Sequence, residues 1–204
     1  MIDEGYIKFD CHWTQSPALA KEEIEALNNC RQKLYDRHLV GAYDNGIGFG
    51  NVSQRKEELQ FLISGSTTGN FPVLDESHYA VVTAFDIEQN AVHCEGPIRA
   101  SSESMSHAVI YQHCEEVNAV LHVHHLEMWQ HYLHQLPTTS EAAPYGSPEM
   151  ANEIIRLLNS TTVRTKEKCF VMAGHREGIF AFGTDLADAT SNLLHFFDAF
   201  KAKR

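Results

Sequence analysis

The sequence has no Cys-x-x-Cys pair, and its five cysteines (Cys11, Cys30, Cys94, Cys114, Cys169) are odd in number, so neither a paired-cysteine zinc site nor a disulfide framework is written into it. Such a set suits reduced thiols, most of them small buried hydrophobes, and points to a cytoplasmic protein. No apolar run approaches the about 18 residues that would span a bilayer. Met1-Ile2-Asp3-Glu4-Gly5 has neither a basic nor an apolar leader region, which argues against export. Cations are scarce as well: 16 Lys and Arg against 27 Asp and Glu give a formal net charge of −11. Binding to nucleic acid or to an anionic membrane would need clustered cations, so both are disfavoured as partners. The one basic cluster, Lys201-Ala202-Lys203-Arg204, reads as a solvated terminus that also suits a helix C-terminal dipole. Repeats, linkers and low-complexity segments are missing. The chain therefore reads as a single domain over residues 1–204, long enough to bury about 70% of the surface its unfolded form exposes.

What is present is ordinary for a folded protein, with 43% hydrophobic and 21% charged residues. Tyr6-Ile7-Lys8-Phe9 alternates like a short strand. Ser16-Pro17 then supplies a cap and first helical residue for a helix over about residues 18–39, whose buried face carries Ile24, Leu27, Arg31, Leu34, Tyr35 and His38. Gly46, Gly48 and Gly50 alternate before a polar cluster beginning Asn51-Val52-Ser53 and permit close backbone approach. Strands are expected at 59–63, 79–85, 91–94, 117–121, 169–173 and 178–182. Helices are expected from Ser101 or Ser102 to Val117, from Met128 to Leu136, after Ser147-Pro148, and after Thr184-Asp185. The fold class is α/β, a mostly antiparallel sheet with flanking helices.

Two stretches carry candidate chemistry. The first is Leu121-His122-Val123-His124-His125, where alternation along a strand puts His122 and His124 on one face. Two neutral imidazoles so placed can share a metal ion. A shuffled chain with 13 histidines in 204 residues would hold roughly 0.8 His-x-His pairs by chance, so the spacing alone does not establish a site. The second stretch, Ser64-Gly65-Ser66-Thr67-Thr68-Gly69-Asn70, is rich in small donors and reads either as an anion cradle or as a Ser/Thr/Gly turn between strands. It lacks the Gly-Lys-[Ser/Thr] ending of a Walker loop. A cupin spacing and a His-x-His-x-Asp-His hydrolase pattern both fail, the latter at Leu126 and Glu127. His78, His107, His113, His131, His134 and His195 read as surface or helix-packing residues.

Taken in order, the Gly-Asn-Val-Ser loop, the Ser-Ser-Glu helix start, the His-x-His strand end and the late Gly-His turn resemble the class II aldolase/adducin family, over about residues 28–200. The resemblance implies a three-layer αβα domain and a divalent ion, most often zinc, held by His122, His124 and His175. It implies a substrate phosphate bound by Gly50, Asn51, Thr68, Gly69, Ser101 and Ser102, and Glu103 as general acid/base. Arg55 is a further candidate for the phosphate. The activity implied is a lyase of aldolase type acting on a small phosphorylated ketose or related hydroxy-carbonyl compound, whose enediolate the ion would stabilise. A homotetramer is implied too. The family also holds epimerases, a dehydratase branch and the noncatalytic adducin head, which stand as alternatives.

Two departures from the family pattern leave questions to the structure. In many members the third histidine directly precedes a glycine, whereas His175-Arg176-Glu177-Gly178 inserts two residues, so Glu177 competes with His175 as third ligand. After Pro137, where aldolases of the family place a proton-donating tyrosine and other branches an acid, the candidates are Glu141 and Tyr145.

Overall fold

The computed structural model describes residues 6–203, so Met1–Gly5 and Arg204, including part of the basic tail, lie outside the described residues. Ten strands and five helices follow in order: β1 (Asp10–Gln15), α1 (Lys21–Tyr35), β2 (Gly41–Ala42), β3 (Gly48–Phe49), β4 (Asn51–Glu57), β5 (Gln60–Ser64), β6 (Tyr79–Asp86), β7 (Ala91–Gly96), α2 (Ser104–His113), β8 (Ala119–His124), α3 (Leu126–Tyr132), α4 (Pro148–Leu158), β9 (Cys169–Val171), β10 (Gly178–Gly183) and α5 (Leu186–Lys201). Eight strands form one sheet in the order β1-β7-β6-β5-β4-β8-β10-β9, and β2 and β3 form a small ribbon beside it. β1 joins β7 in parallel, while the pairs from β7 to β9 run antiparallel.

Period-two alternation makes this a three-layer αβα structure. On one face Phe61, Val120, Phe180 and Phe182 pack against Met105 and Val109 of α2 and Met150 and Ile154 of α4. On the other, Leu62, Leu121, Val123, Ile179 and Ala181 pack against Ile24, Leu27 and Leu34 of α1 and Leu193 and Phe197 of α5. β5, β8, β9 and β10 thus send apolar side chains both ways, as a sheet covered on both faces requires. α4 and α5 begin as expected: Ser147 accepts from Met150 N–H at 3.2 Å, and Asp185 accepts from Asp188 N–H at 2.7 Å.

Several boundaries differ from the sequence expectation. The first strand is the polar stretch β1 rather than Tyr6-Ile7-Lys8-Phe9, because an edge strand is held by its backbone ladder to β7 and needs no apolar alternation. That ladder continues to Ser16, whose N–H donates to Gly96 O at 3.2 Å, so α1 starts at Lys21 and not at Ser16-Pro17. α1 ends at Tyr35, where His38 takes a left-handed φ of +57°. α2 starts at Ser104 with Glu103 at its N-cap position and ends at His113 rather than at Val117. α3 spans Leu126–Tyr132, with the His125 ring accepting from Met128 N–H at 3.2 Å. The polar cluster after Gly50 is β4, a central strand. Its polar side chains are satisfied internally, Ser53 by His107 and Tyr111, and Arg55 by backbone carbonyls. Among the described residues no helix is long and apolar enough to cross a membrane.

Candidate metal centre

β8 presents His122 and His124 to the α2 side because Ala119, Leu121 and Val123 occupy the opposite face. His175 reaches them from the turn between β9 and β10, which closes through Gly178 N–H to His175 O at 3.0 Å. One ligand atom from each of the three imidazoles falls within 4.8 Å of the others, and all three residues are buried. His122 Nε2 and His124 Nε2 are 3.0 Å apart. Ligand distances of about 2.0–2.1 Å around a tetrahedral zinc ion place nitrogens about 3.3 Å from one another, so small side-chain adjustments would close the triangle on an ion. Burial, with the neighbouring imidazoles of His124, His175 and His107, pushes the His122 pKa well below the usual imidazole value. Neutral imidazole is the form that binds metal.

Glu103 stands against His175 of the cluster. It is buried, its Oε2 accepts from Ser106 Oγ at 2.7 Å, and its Oε1 lies 3.0 Å from His175 Nδ1. That contact is close but not aligned as a hydrogen bond, which leaves a buried carboxylate oxygen facing the imidazoles. Three imidazole nitrogens make a donor set that fits a divalent ion, with the Glu103 carboxylate against one of the three rings. Glu177 does not join the cluster.

The expected phosphate segments converge beside it. Asn51 pairs with His122 across the β4–β8 ladder, and both are buried. Gly50 has a φ of +74°, and a Cβ there would stand 2.9 Å from Val40 Cγ2 and 3.1 Å from His122 O, so the turn into β4 requires glycine. Gly69 is equally constrained, since its Cβ would meet Gly41 O at 2.1 Å. Val52 N–H donates to Ser64 Oγ at 3.2 Å, and Ser66 N–H donates to Arg99 O at 2.9 Å, which ties β4, the 64–70 loop and the segment before α2 together. The Thr68 hydroxyl donates to Gly65 O at 2.9 Å, and Ser101 Oγ accepts from Glu103 N–H at 3.2 Å. Ser102 is buried beside it.

Of the three remaining candidates, Tyr145 stands against the cluster, whereas Glu141 and Arg55 do not. Glu141 is exposed and is not brought to the imidazoles. Tyr145 stacks its ring on His175 with centroids 4.6 Å apart, while its hydroxyl lies 3.3 Å from both the N and the O of Tyr6. Arg55 is engaged far from the phosphate segments by carbonyls of Tyr111, Cys114, Val117 and Glu58.

Sequence reading missed three residues. His107 is not a simple packing residue: its Nε2 is 2.6 Å from Asn51 Oδ1 and its Nδ1 2.6 Å from Ser53 Oγ, which also meets Tyr111 Oη at 2.7 Å. A carbonyl oxygen can only accept, so His107 Nε2 carries the proton, and the Asn51 amide nitrogen is turned to the other side. Arg31, read as one residue of a buried helical face, donates to Pro72 O, Thr68 O and Phe71 O at 3.2, 3.3 and 2.7 Å and shapes the 64–72 loop. Tyr43 meets His124 Nδ1 at 2.9 Å. The spacing Glu103-x-x-x-His107, one helical turn, was the available signal for the first.

Residues 25–203 match the family model described as Class II Aldolase and Adducin N-terminal domain. Among solved structures, an L-fuculose 1-phosphate aldolase superposes with a TM-score of 0.65 at 19% identity, over 91% of this chain and 88% of that one. The L-fuculose-1-phosphate aldolase from Thermus thermophilus gives 0.57 at 22% identity, over 87% and 91%. YgbL from Escherichia coli, described as a candidate aldolase/epimerase/decarboxylase, gives 0.65 at 16% identity, over 89% and 88%. At these identities the likeness is one of fold. No curated protein sequence matches the chain.

Proposed function

Because this chain belongs to the class II aldolase and adducin N-terminal domain family, we propose that it is a divalent-metal-dependent lyase of aldolase type, acting on a small phosphorylated ketose or related hydroxy-carbonyl compound. The observation that carries this reading is the buried cluster of His122, His124 and His175 with the Glu103 carboxylate against it. Zinc is the ion to test first, since imidazole-rich sites suit it. When bound, the ion supplies Lewis acidity to the carbonyl and hydroxyl oxygens of the substrate. Glu103 holds and moves the proton at the carbon beside the carbonyl through its Oε1, while Ser106 fixes Oε2. Asn51, with Gly50, Thr68, Gly69, Ser101 and Ser102, binds the phosphate through amide, backbone and hydroxyl donors. Such local donors are needed in a chain with a net charge of −11, whose long-range field repels an anion. A cytoplasmic homotetramer is part of the same reading.

A second reading keeps the site and changes the reaction to epimerisation, dehydration or decarboxylation. It is favoured by the engagement of the Tyr145 hydroxyl with Tyr6, since a tyrosine is the residue expected to protonate the leaving group of an aldol cleavage. The description of YgbL names epimerase and decarboxylase alongside aldolase. A noncatalytic module like the adducin head would bury three imidazoles and a carboxylate at a desolvation cost with no use for them. Elemental analysis of the wild type and of His122→Ala and His175→Ala decides the central point. We expect a divalent ion in the wild type and its loss, together with turnover of phosphorylated ketoses, in both variants. Wild-type protein that stays metal-free after reconstitution would return the chain to the adducin-like reading.

A further inference from the structure

The metal reading gives no part to Glu177, although the 175–178 turn accommodates it in an unusual conformation. Its φ is +73°, a left-handed value that residues with a side chain seldom adopt. The residue is held from two sides. Its carbonyl accepts from His125 N–H at 3.1 Å, which fastens the turn to the end of β8, and its Oε2 accepts from the Tyr43 hydroxyl at 3.1 Å. Tyr43 comes from the tight turn between β2 and β3, where its N–H donates to Ile47 O at 2.9 Å and its ring packs on Phe49 with centroids 4.7 Å apart. The same Tyr43 oxygen is 2.9 Å from His124 Nδ1.

This geometry fixes a proton. A tyrosine hydroxyl has one hydrogen and a carboxylate oxygen only accepts, so the hydrogen of Tyr43 goes to Glu177 and its oxygen is left to accept. His124 Nδ1 is then the donor. Neutral imidazole carries a single N–H, so with that proton on Nδ1 the lone pair of Nε2 faces His122 and the cluster. We propose that Tyr43 and Glu177 are positioning residues that lock His124 in its Nδ1–H tautomer, the form whose Nε2 can bind a metal ion. The proposal rests on the metal-site reading above and assigns a purpose to Glu177, one of the two extra residues of the turn. Without the Tyr43 hydroxyl, His124 can place its proton on Nε2, where an ion must bind. Without the Glu177 carboxylate, the Tyr43 hydrogen can turn to Nδ1 and favour that same tautomer. The two residues act in series.

Long-range 1H–15N NMR of the metal-free protein reads imidazole tautomers directly, with His124 assigned from the signals lost in His124→Gln. Titration with Co(II) against a competing chelator reads affinity. The wild type is expected to show the Nδ1–H form of His124 and to bind Co(II). Tyr43→Phe and Glu177→Ala are each expected to shift His124 toward the Nε2–H form and to weaken Co(II) binding by about 10–100-fold, the range for losing a group that orients a ligand. The double variant should bind no more weakly than either single one. A general loosening of the fold would lower affinity without moving the tautomer. Wild-type protein that binds Co(II) while Tyr43→Phe leaves both tautomer and affinity unchanged overturns the lock. Wild-type protein that binds no Co(II) overturns the metal-site reading instead, and the tautomer in Tyr43→Phe still decides the lock.

Discussion

Burial of a histidine among neutral partners ties stability to pH, and His107 is so placed. Desolvation pushes its pKa down to about 3, so the folded protein keeps it neutral where an unfolded chain would protonate it. The contribution of His107 is therefore intact above the ordinary imidazole value near 6.5 and is lost progressively as the pH falls toward 3. Between pH 7 and pH 5 this linkage amounts to about 2 kcal/mol for one such group. His122, depressed for the same reason, acts in the same direction. Urea denaturation of metal-free protein should show at least that loss, and His107→Gln should flatten the dependence by about the same amount. Parallel pH profiles for the two proteins would refute the assignment. His107 also orients Asn51, so His107→Gln acts on the proposed phosphate side of the site as well as on stability.

The loop over residues 64–72 owes its shape to a helix rather than to its own turn chemistry. Arg31 of α1 is buried and collects carbonyls of Thr68, Phe71 and Pro72, while Phe71 itself is exposed. Arg31→Met would leave those carbonyls without their donor, and we expect a loss of about 2–4 kcal/mol. Urea midpoints measure it, and faster proteolysis at Phe71 would report the loosened loop; an unchanged midpoint would show the clamp to be dispensable. α4 and α5 were legible in the sequence because cap and apolar period agreed, and β8 from its apolar run, although the strand lies at Ala119–His124 rather than 117–121. β4 was not, because Asn51, Ser53 and Arg55 read as a polar loop until their partners on α2, His107 and Tyr111, are seen across more than fifty residues of chain. The α1 start failed for a related reason, since a backbone ladder at Ser16 overrode a sound local capping signal.

For the molecule as a whole, ordered motifs were more informative than any single one. His-x-His at chance frequency became a three-imidazole site once a histidine some fifty residues later folded beside it, and the Ser-Ser-Glu step delivered its carboxylate to the same place. What stayed illegible was long-range: which residue stands behind an imidazole, and that Tyr145 rather than Glu141 packs on one of them. The proposed tetramer belongs to this scale. Sedimentation of the native protein should give about four times the 23.0 kDa chain mass, and a monomer would overturn that part of the reading. Asn51 and His122 are directly opposed on β4 and β8, where paired Cα atoms stand about 4.5–5.5 Å apart. If one side chain holds the phosphate and the other the ion, a single rung of the ladder becomes a gauge of how many carbons separate the phosphate from the carbonyl.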